Sequence, residues 1–208
     1  MSTTDPTNDS NSDNSIRFYF SFRSPYAWLA SERLDAELGD LGVPIERIPI
    51  YPTPELFPND PVSLPDKIAH MVQDVRRLAR ERGLSLTFPT VVDPDDWSIS
   101  HAAVLGAEQQ GGGHRMMLEL FRKRWSEGLD LGEDGVIADA AKNADLDSVA
   151  ILEAAHSDEL RAIASDAWRL AGERDHIFGV PSFVFAGKLY WGQDRMHFVR
   201  SAVERKLF

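Results

Sequence analysis

The sequence contains no cysteine. That absence excludes a disulfide framework, a thiolate zinc site, a cysteine nucleophile and dithiol redox chemistry performed by the chain itself. Basic charge is in short supply: 22 Lys and Arg against 33 Asp and Glu leave a formal charge of −11. The acidic excess persists when Asp5, Asp9 and Asp13 of the N-terminal stretch are set aside. Such a chain lacks the electrostatic footprint of a nucleic-acid binder or an anionic-membrane binder, so neither partner is expected. No apolar run reaches bilayer length, and no basic region leads into an apolar one at the N-terminus, which makes the cytoplasm the expected location. Histidines 70, 101, 114, 156, 176 and 197 show neither His-x3-His nor His-Glu-x2-His spacing, so no metal site is expected. Gly111-Gly112-Gly113 lacks the P-loop lysine and reads as a turn. Ser98, Ser100 and His101 come without a Gly-x-Ser-x-Gly elbow and are only a weak hydrolase signal.

What is present is an ordinary globular composition: 208 residues, 43% apolar and 26% charged. It suits one domain, or one domain carrying a large insertion. Residues 1–15 are polar and acidic and read as a disordered tail. Ile16, Phe18, Phe20 and Phe22 alternate as in a strand. Ser24-Pro25 then marks a helix start, and the helix is expected to run from Ala27 to Leu38 before Gly39 and Gly42. A strand over Ile45 to Ile50 completes a β-α-β unit. After a proline-punctuated loop from Tyr51 to Pro65, helical patterns cover 66–82, 99–110, 114–126, 133–143 and 147–173, the last broken near Ser157. Pro181–Phe185 and Lys188–Trp191 flank Ala186-Gly187 as a hairpin, and a final helix is expected over 194–205.

The order is β-α-β, a helical block, then β-β-α. Without the block this is the element order of the thioredoxin fold. The expected architecture is therefore α/β, a thioredoxin-like domain (16–62 and 176–208) with an all-helical insertion (63–175). Pro181 stands where that fold places a cis proline.

Three local features can carry chemistry. Ser24 stands at a strand-to-helix junction, where unpaired N–H groups and the helix dipole favour an anion. In a thioredoxin-like layout this is the place of the reactive thiol. A serine there can hydrogen-bond a thiolate but cannot become one, so the sulfur would arrive with a small thiol cofactor. The alternative is a plain N-cap worth about 1 kcal/mol. In Phe178-Gly179-Val180-Pro181-Ser182, a cis proline would leave the Val180 backbone free to pair with an extended peptide such as glutathione, or would serve the fold alone. Gln193 and Asp194 can cap the last helix, or can hold the ammonium and carboxylate of a γ-glutamyl group.

Together, Phe20-Ser21-Phe22-Arg23-Ser24-Pro25-Tyr26-Ala27-Trp28-Leu29, Phe178-Gly179-Val180-Pro181-Ser182-Phe183 and Tyr190-Trp191-Gly192-Gln193-Asp194-Arg195 resemble the 2-hydroxychromene-2-carboxylate isomerase family. That family is related to the kappa-class glutathione transferases, and the resemblance covers residues 16–208. It implies a glutathione-binding homodimer in which Ser24 stabilises the glutathione thiolate and Val180, before Pro181, pairs with the peptide backbone. Gln193 and Asp194 would take the γ-glutamyl group, and Asn59 and Lys67 would be further glutathione contacts. The Lys67…Asp74…Arg77 pattern agrees with the family.

Departures cluster where a second substrate would enter. His70 replaces a common tyrosine, His176 a common glycine, and Ile50-Tyr51-Pro52-Thr53-Pro54 a more apolar, glycine-containing loop. Arg23 is variable beside the serine, and its placement suggests the cation for a substrate carboxylate, with Lys67 as the second candidate. Arg23, Tyr51 and His70 are thus the candidate substrate contacts. The expected activity is a glutathione-dependent cis-trans isomerisation of 2-hydroxychromene-2-carboxylate or a related unsaturated α-keto acid. Two rivals are a kappa-like glutathione transferase or peroxidase and a non-catalytic thiol- or peptide-binding protein.

Overall fold

The computed structural model describes residues 14–51, 64–88 and 93–207. Among these, four strands form one sheet in the order β2-β1-β3-β4: β1 (Ile16–Phe20), β2 (Ile45–Pro49), β3 (Ser182–Phe185) and β4 (Lys188–Trp191). β1 runs parallel to β2, in register Phe18 with Arg47, and antiparallel to β3, where Phe18 faces Phe183. β3 and β4 form the expected hairpin, with Ala186 and Gly187 both at positive φ. The tight turn needs this backbone, which glycine adopts at little cost.

The alternation in β1 has a direct structural meaning. Phe18 and Phe20 enter the main core with Phe22, and Phe18 stacks on Phe183 at 5.0 Å between ring centroids. Arg17 and Tyr19 point to the opposite face, where both bond the Asp175 carboxylate at the end of the long helix α8 (Asp158–Asp175). Tyr19 also joins Ile50, Trp168, Ala171, Ile177 and Val184 in a second, smaller cluster. Both faces of the sheet are therefore covered. Ser15 is buried and its hydroxyl donates to Glu46, so ordered packing begins inside the stretch that composition assigns to the tail.

The expected helix over Ala27–Leu38 is two helices, α1 (Pro25–Ser31) and α2 (Leu34–Leu38), followed by a 3-10 turn at Gly39–Leu41. The break falls at Glu32-Arg33, both good helix formers. Glu32 is gripped by the Arg122 guanidinium through two hydrogen bonds of 3.0 Å, and Ser31 bonds back to the Trp28 carbonyl. Tertiary pairing here outweighs propensity. The final helix, α9 (Met196–Leu207), starts two residues later than expected.

Between the two halves lie α3 (Pro65–Glu81), α4 (Ser98–Gln109), α5 (Gly113–Trp125), α6 (Asp134–Asn143), α7 (Ser148–Ala155) and α8. Asp147 and Ser157 cap α7 and α8 through their side chains, which places the break near Ser157 where expected. One apolar cluster runs without interruption from Phe18 and Trp28 through Phe121 and Trp125 to Ile137, Ile151 and Ala164. The helical block and the sheet thus share a core.

Candidate functional site

After β1 the chain turns at Ser21, whose carbonyl accepts from the Ser24 N–H at 3.0 Å. Ser24 is the N-cap of α1: its Oγ accepts from the Ala27 N–H at 3.2 Å, and Pro25 opens the helix. The Ser24 hydroxyl in turn donates to the Val180 carbonyl, 3.5 Å away. A hydroxyl whose oxygen already accepts is held with its O–H facing the Val180 loop.

That loop has a cis Val180–Pro181 peptide. It is tied on both sides: the Pro181 carbonyl accepts from the Gly192 N–H at 2.9 Å, and Ser182 Oγ donates to the Gly179 carbonyl at 2.7 Å. The Val180 N–H has no hydrogen-bond partner among the described residues, and its carbonyl takes only the long contact from Ser24. A half-buried main-chain unit with both groups available matches an extended peptide laid beside it.

Beside this unit lies a cavity of about 300 Å³ whose walls include Val180, Pro181, Gln193, Asp194, Tyr26 and Asp74. Four residues expected to hold a cofactor are thus gathered in one place. Neither Gln193 nor Asp194 acts as the cap of α9. Gln193 Oε1 accepts from Arg82 Nη2, and Asp194 pairs with the neighbouring Arg195. Arg82 also donates to the Leu29 carbonyl at 3.1 Å, so it joins the end of α3 to α1 and to the Gln193 loop.

Two wall residues, Tyr26 and Asp74, were not expected to act together. The Tyr26 hydroxyl donates to Asp74 Oδ2 at 2.9 Å. Burial and this carboxylate push the tyrosine pKa well above its usual range, so it remains a protonated donor. The signal in the sequence is slight: Tyr26 falls in the first turn of α1, and Asp74 two turns after Lys67. Arg82 gives no local signal, because its partners lie 53 and 111 residues away.

The remaining expected residues lie elsewhere. Lys67 and His70 are exposed on α3, on the helical face that carries Asp74, and do not line the cavity. Arg23 bonds Asp93 at 3.0 Å, and the same carboxylate takes Arg124. Tyr51 is buried with its hydroxyl 2.8 Å from Ser165 Oγ. His176 takes left-handed backbone (φ 56) as the C-cap of α8, a position that glycine commonly fills. Asn59 and Pro52-Thr53-Pro54 lie outside the described residues.

Ser98, Ser100 and His101 form no hydrolytic arrangement. All three are buried; Ser98 bonds Arg161, and both Ser100 and His101 Nδ1 bond the Trp97 carbonyl. Among the described residues no group of three or more histidines and carboxylates is placed to hold a metal ion, and no helix is long and apolar enough to cross a membrane.

The model of the DSBA-like thioredoxin domain matches residues 15–204, nearly the whole chain. The protein belongs to this family. Its sequence lacks cysteine, and Ser24 stands at the start of the first helix. This DSBA-like chain is 29% identical over 192 residues to a 2-hydroxychromene-2-carboxylate isomerase of Sphingobium xenophagum, spanning 89% of this chain and 96% of the relative. Its fold matches a solved 2-hydroxychromene-2-carboxylate isomerase with a TM-score of 0.72 at 22% identity, over 93% of this chain and 96% of the other. It also matches the cytosolic disulfide reductase DsbM of Pseudomonas aeruginosa, solved with GSH, with a TM-score of 0.66 at 19% identity over 93% and 98% of the two chains.

Proposed function

We propose that this DSBA-like protein is a glutathione-dependent isomerase acting on 2-hydroxychromene-2-carboxylate or a related unsaturated α-keto acid. The observation that carries the reading is a cavity walled by Val180, whose N–H is unpaired among the described residues and whose carbonyl is 3.5 Å from the Ser24 hydroxyl, in a chain without cysteine. Similarity to proteins named as such isomerases, and to a reductase solved with GSH, supports it.

The residues suit glutathione. Val180 offers a donor and an acceptor to the peptide backbone. Arg82 occupies Gln193 Oε1, which leaves the Gln193 amide N–H groups to donate to a carboxylate. Asp194 would attract the ammonium, and Arg195 beside it would favour a carboxylate. Lys67, exposed two turns along α3 from Asp74, and Asn59 would be outer contacts of the same cofactor. Bound glutathione would supply a thiolate that adds reversibly to a conjugated C=C bond, leaves a rotatable single bond, and is expelled unconsumed.

Ser24 would turn its O–H from the Val180 carbonyl to the sulfur, stabilising the anion with the help of the α1 N-terminus. Tyr26, kept protonated beside Asp74, would become a second donor by turning its single O–H from that carboxylate to the cofactor. A substrate carboxylate would reach Arg23 by exchanging with Asp93, and Tyr51 and His70 would border that approach.

Calorimetry and turnover test this directly. Wild type should bind glutathione and isomerise without net loss of the thiol. Ser24→Ala should keep binding within a few-fold but lose roughly ten- to hundredfold in rate, the worth of a hydrogen bond to a charged group. No binding of glutathione by wild type would overturn the reading. Net consumption of glutathione with an electrophile would replace the isomerase by a transferase, and binding without any turnover by a non-catalytic module.

A further inference from the structure

A second cavity, of about 330 Å³, lies between α3 and the segment that returns from it, and is lined by Arg76, Ala79, Arg80, Leu84, Leu86 and Phe88. Leu84, Leu86 and Phe88 alternate with the exposed Ser85 and Thr87, and all three turn to the cavity. Each is half-buried, with part of its apolar surface left uncovered beside the fully packed Ala79. The wall is anchored. The Leu84 N–H donates to the Ala79 carbonyl at 2.9 Å, the Thr87 N–H to the Trp125 carbonyl at 2.8 Å, and Thr87 Oγ1 to the Ser126 carbonyl at 2.7 Å.

The rim carries two exposed guanidinium groups one helical turn apart. Arg76 sits over the Phe88 ring, 5.8 Å from its centroid. Neither Arg76 nor Arg80 forms an ion pair among the described residues, whereas most other arginines of this acidic chain are held by carboxylates, Arg17, Arg33, Arg122, Arg161, Arg169 and Arg200 among them. Two like charges at i and i+4 repel one another, and an anion between them removes that repulsion. An apolar floor under a cationic rim is complementary to a ligand with an apolar ring and one anionic end.

We propose that this groove is a binding site for a small aromatic carboxylate. The ring would lie on Leu84, Leu86 and Phe88, and the carboxylate would take fork-like hydrogen bonds from Arg76 and Arg80. The cavity volume is at the lower end of the range for small-molecule sites, which suits one fused ring pair rather than a peptide. The site is separate from the cavity at Val180. Arg76 and Arg80 lie about 200° and 240° around α3 from Asp74, which lines that other cavity. It therefore stands whether or not the glutathione reading does.

The probe is 2-naphthoate, titrated into the full chain and followed by amide chemical shifts and calorimetry. Saturable binding is expected, with the shifts centred on Ala79, Leu84 and Leu86. Arg76→Gln/Arg80→Gln, two exposed changes compatible with the fold, should weaken it by roughly tenfold or more. The neutral analogue 2-naphthalenemethanol should lose a comparable factor, and Ser24→Ala should bind naphthoate as wild type does. Absence of saturable binding, an unchanged affinity in the double variant, or shifts centred on Val180 and Gln193 would overturn the proposal. So would inorganic phosphate binding the same residues as tightly as naphthoate, since the apolar floor would then contribute nothing.

Discussion

Asp175 holds Arg17 and Tyr19 on the buried face of β1, and both members of the Arg17–Asp175 pair are nearly inaccessible, with side-chain exposures of 5% and 6%. Burial alone would raise the Asp175 pKa, but the hydrogen bonds from Arg17 and Tyr19 outweigh it and hold the carboxyl below its usual range. A depressed carboxylate pKa contributes stability above the unfolded value near 3.9, and that stability is lost as pH falls through the folded value. Asp175→Asn should cost about 3–5 kcal/mol in urea unfolding at neutral pH, because it removes the buried carboxylate that Arg17 and Tyr19 both bond. The difference from wild type should shrink in acid. His101 contributes with the same sign at higher pH. Burial lowers its pKa to about 4, against partial opposition from the Trp97 carbonyl. The unfolded chain takes up this proton first, so stability should decline between the ordinary histidine pKa near 6.5 and about pH 4, by on the order of 3 kcal/mol. A pH series of Tm values for His101→Phe, whose ring can lie against Phe22 and Tyr51, should show this limb flattened.

α4 and α7 approach so closely at Gly106 that an added Cβ would stand 2.2 Å from the Ala154 Cβ. Gly106→Ala gains helix propensity but must push the two helices apart. Denaturation should show a net loss of about 1–3 kcal/mol, the cost of overpacking a closed core. Elements with strong local signals agree with their patterns: β1, the β3–β4 hairpin, α3 and the break between α7 and α8 at Ser157. The boundary between α1 and α2 does not, because Arg122 on α5 decides it by holding Glu32. The start of α9 differs for a similar reason. Gln193 is drawn to Arg82 and Asp194 to Arg195, and neither side chain bonds a backbone N–H of the helix.

Because one apolar cluster joins the sheet to the helical block, the molecule should unfold in one transition rather than as two bodies. Tryptophan fluorescence and far-ultraviolet circular dichroism should give coincident urea curves; separated midpoints would show that the block unfolds on its own. At this scale the lack of cysteine and the acidic balance each have a consequence. Sulfur chemistry would have to come with a cofactor, and anions would have to be held by local donors such as the Val180 N–H and the guanidinium pair Arg76 and Arg80. The sequence by itself determined the β-α-β and β-β-α halves, the helical block, the serine N-cap and the Val180-Pro181 turn, because periodicity, capping and proline geometry act over a few residues. Only the tertiary structure decided that Gln193 answers to Arg82, that Asp93 takes Arg23, that Tyr51 is buried against Ser165, and that Val180, Gln193 and Asp74 share one cavity. Those relations join residues far apart in the chain. They depend on how helices pack around a common core, which no local pattern records.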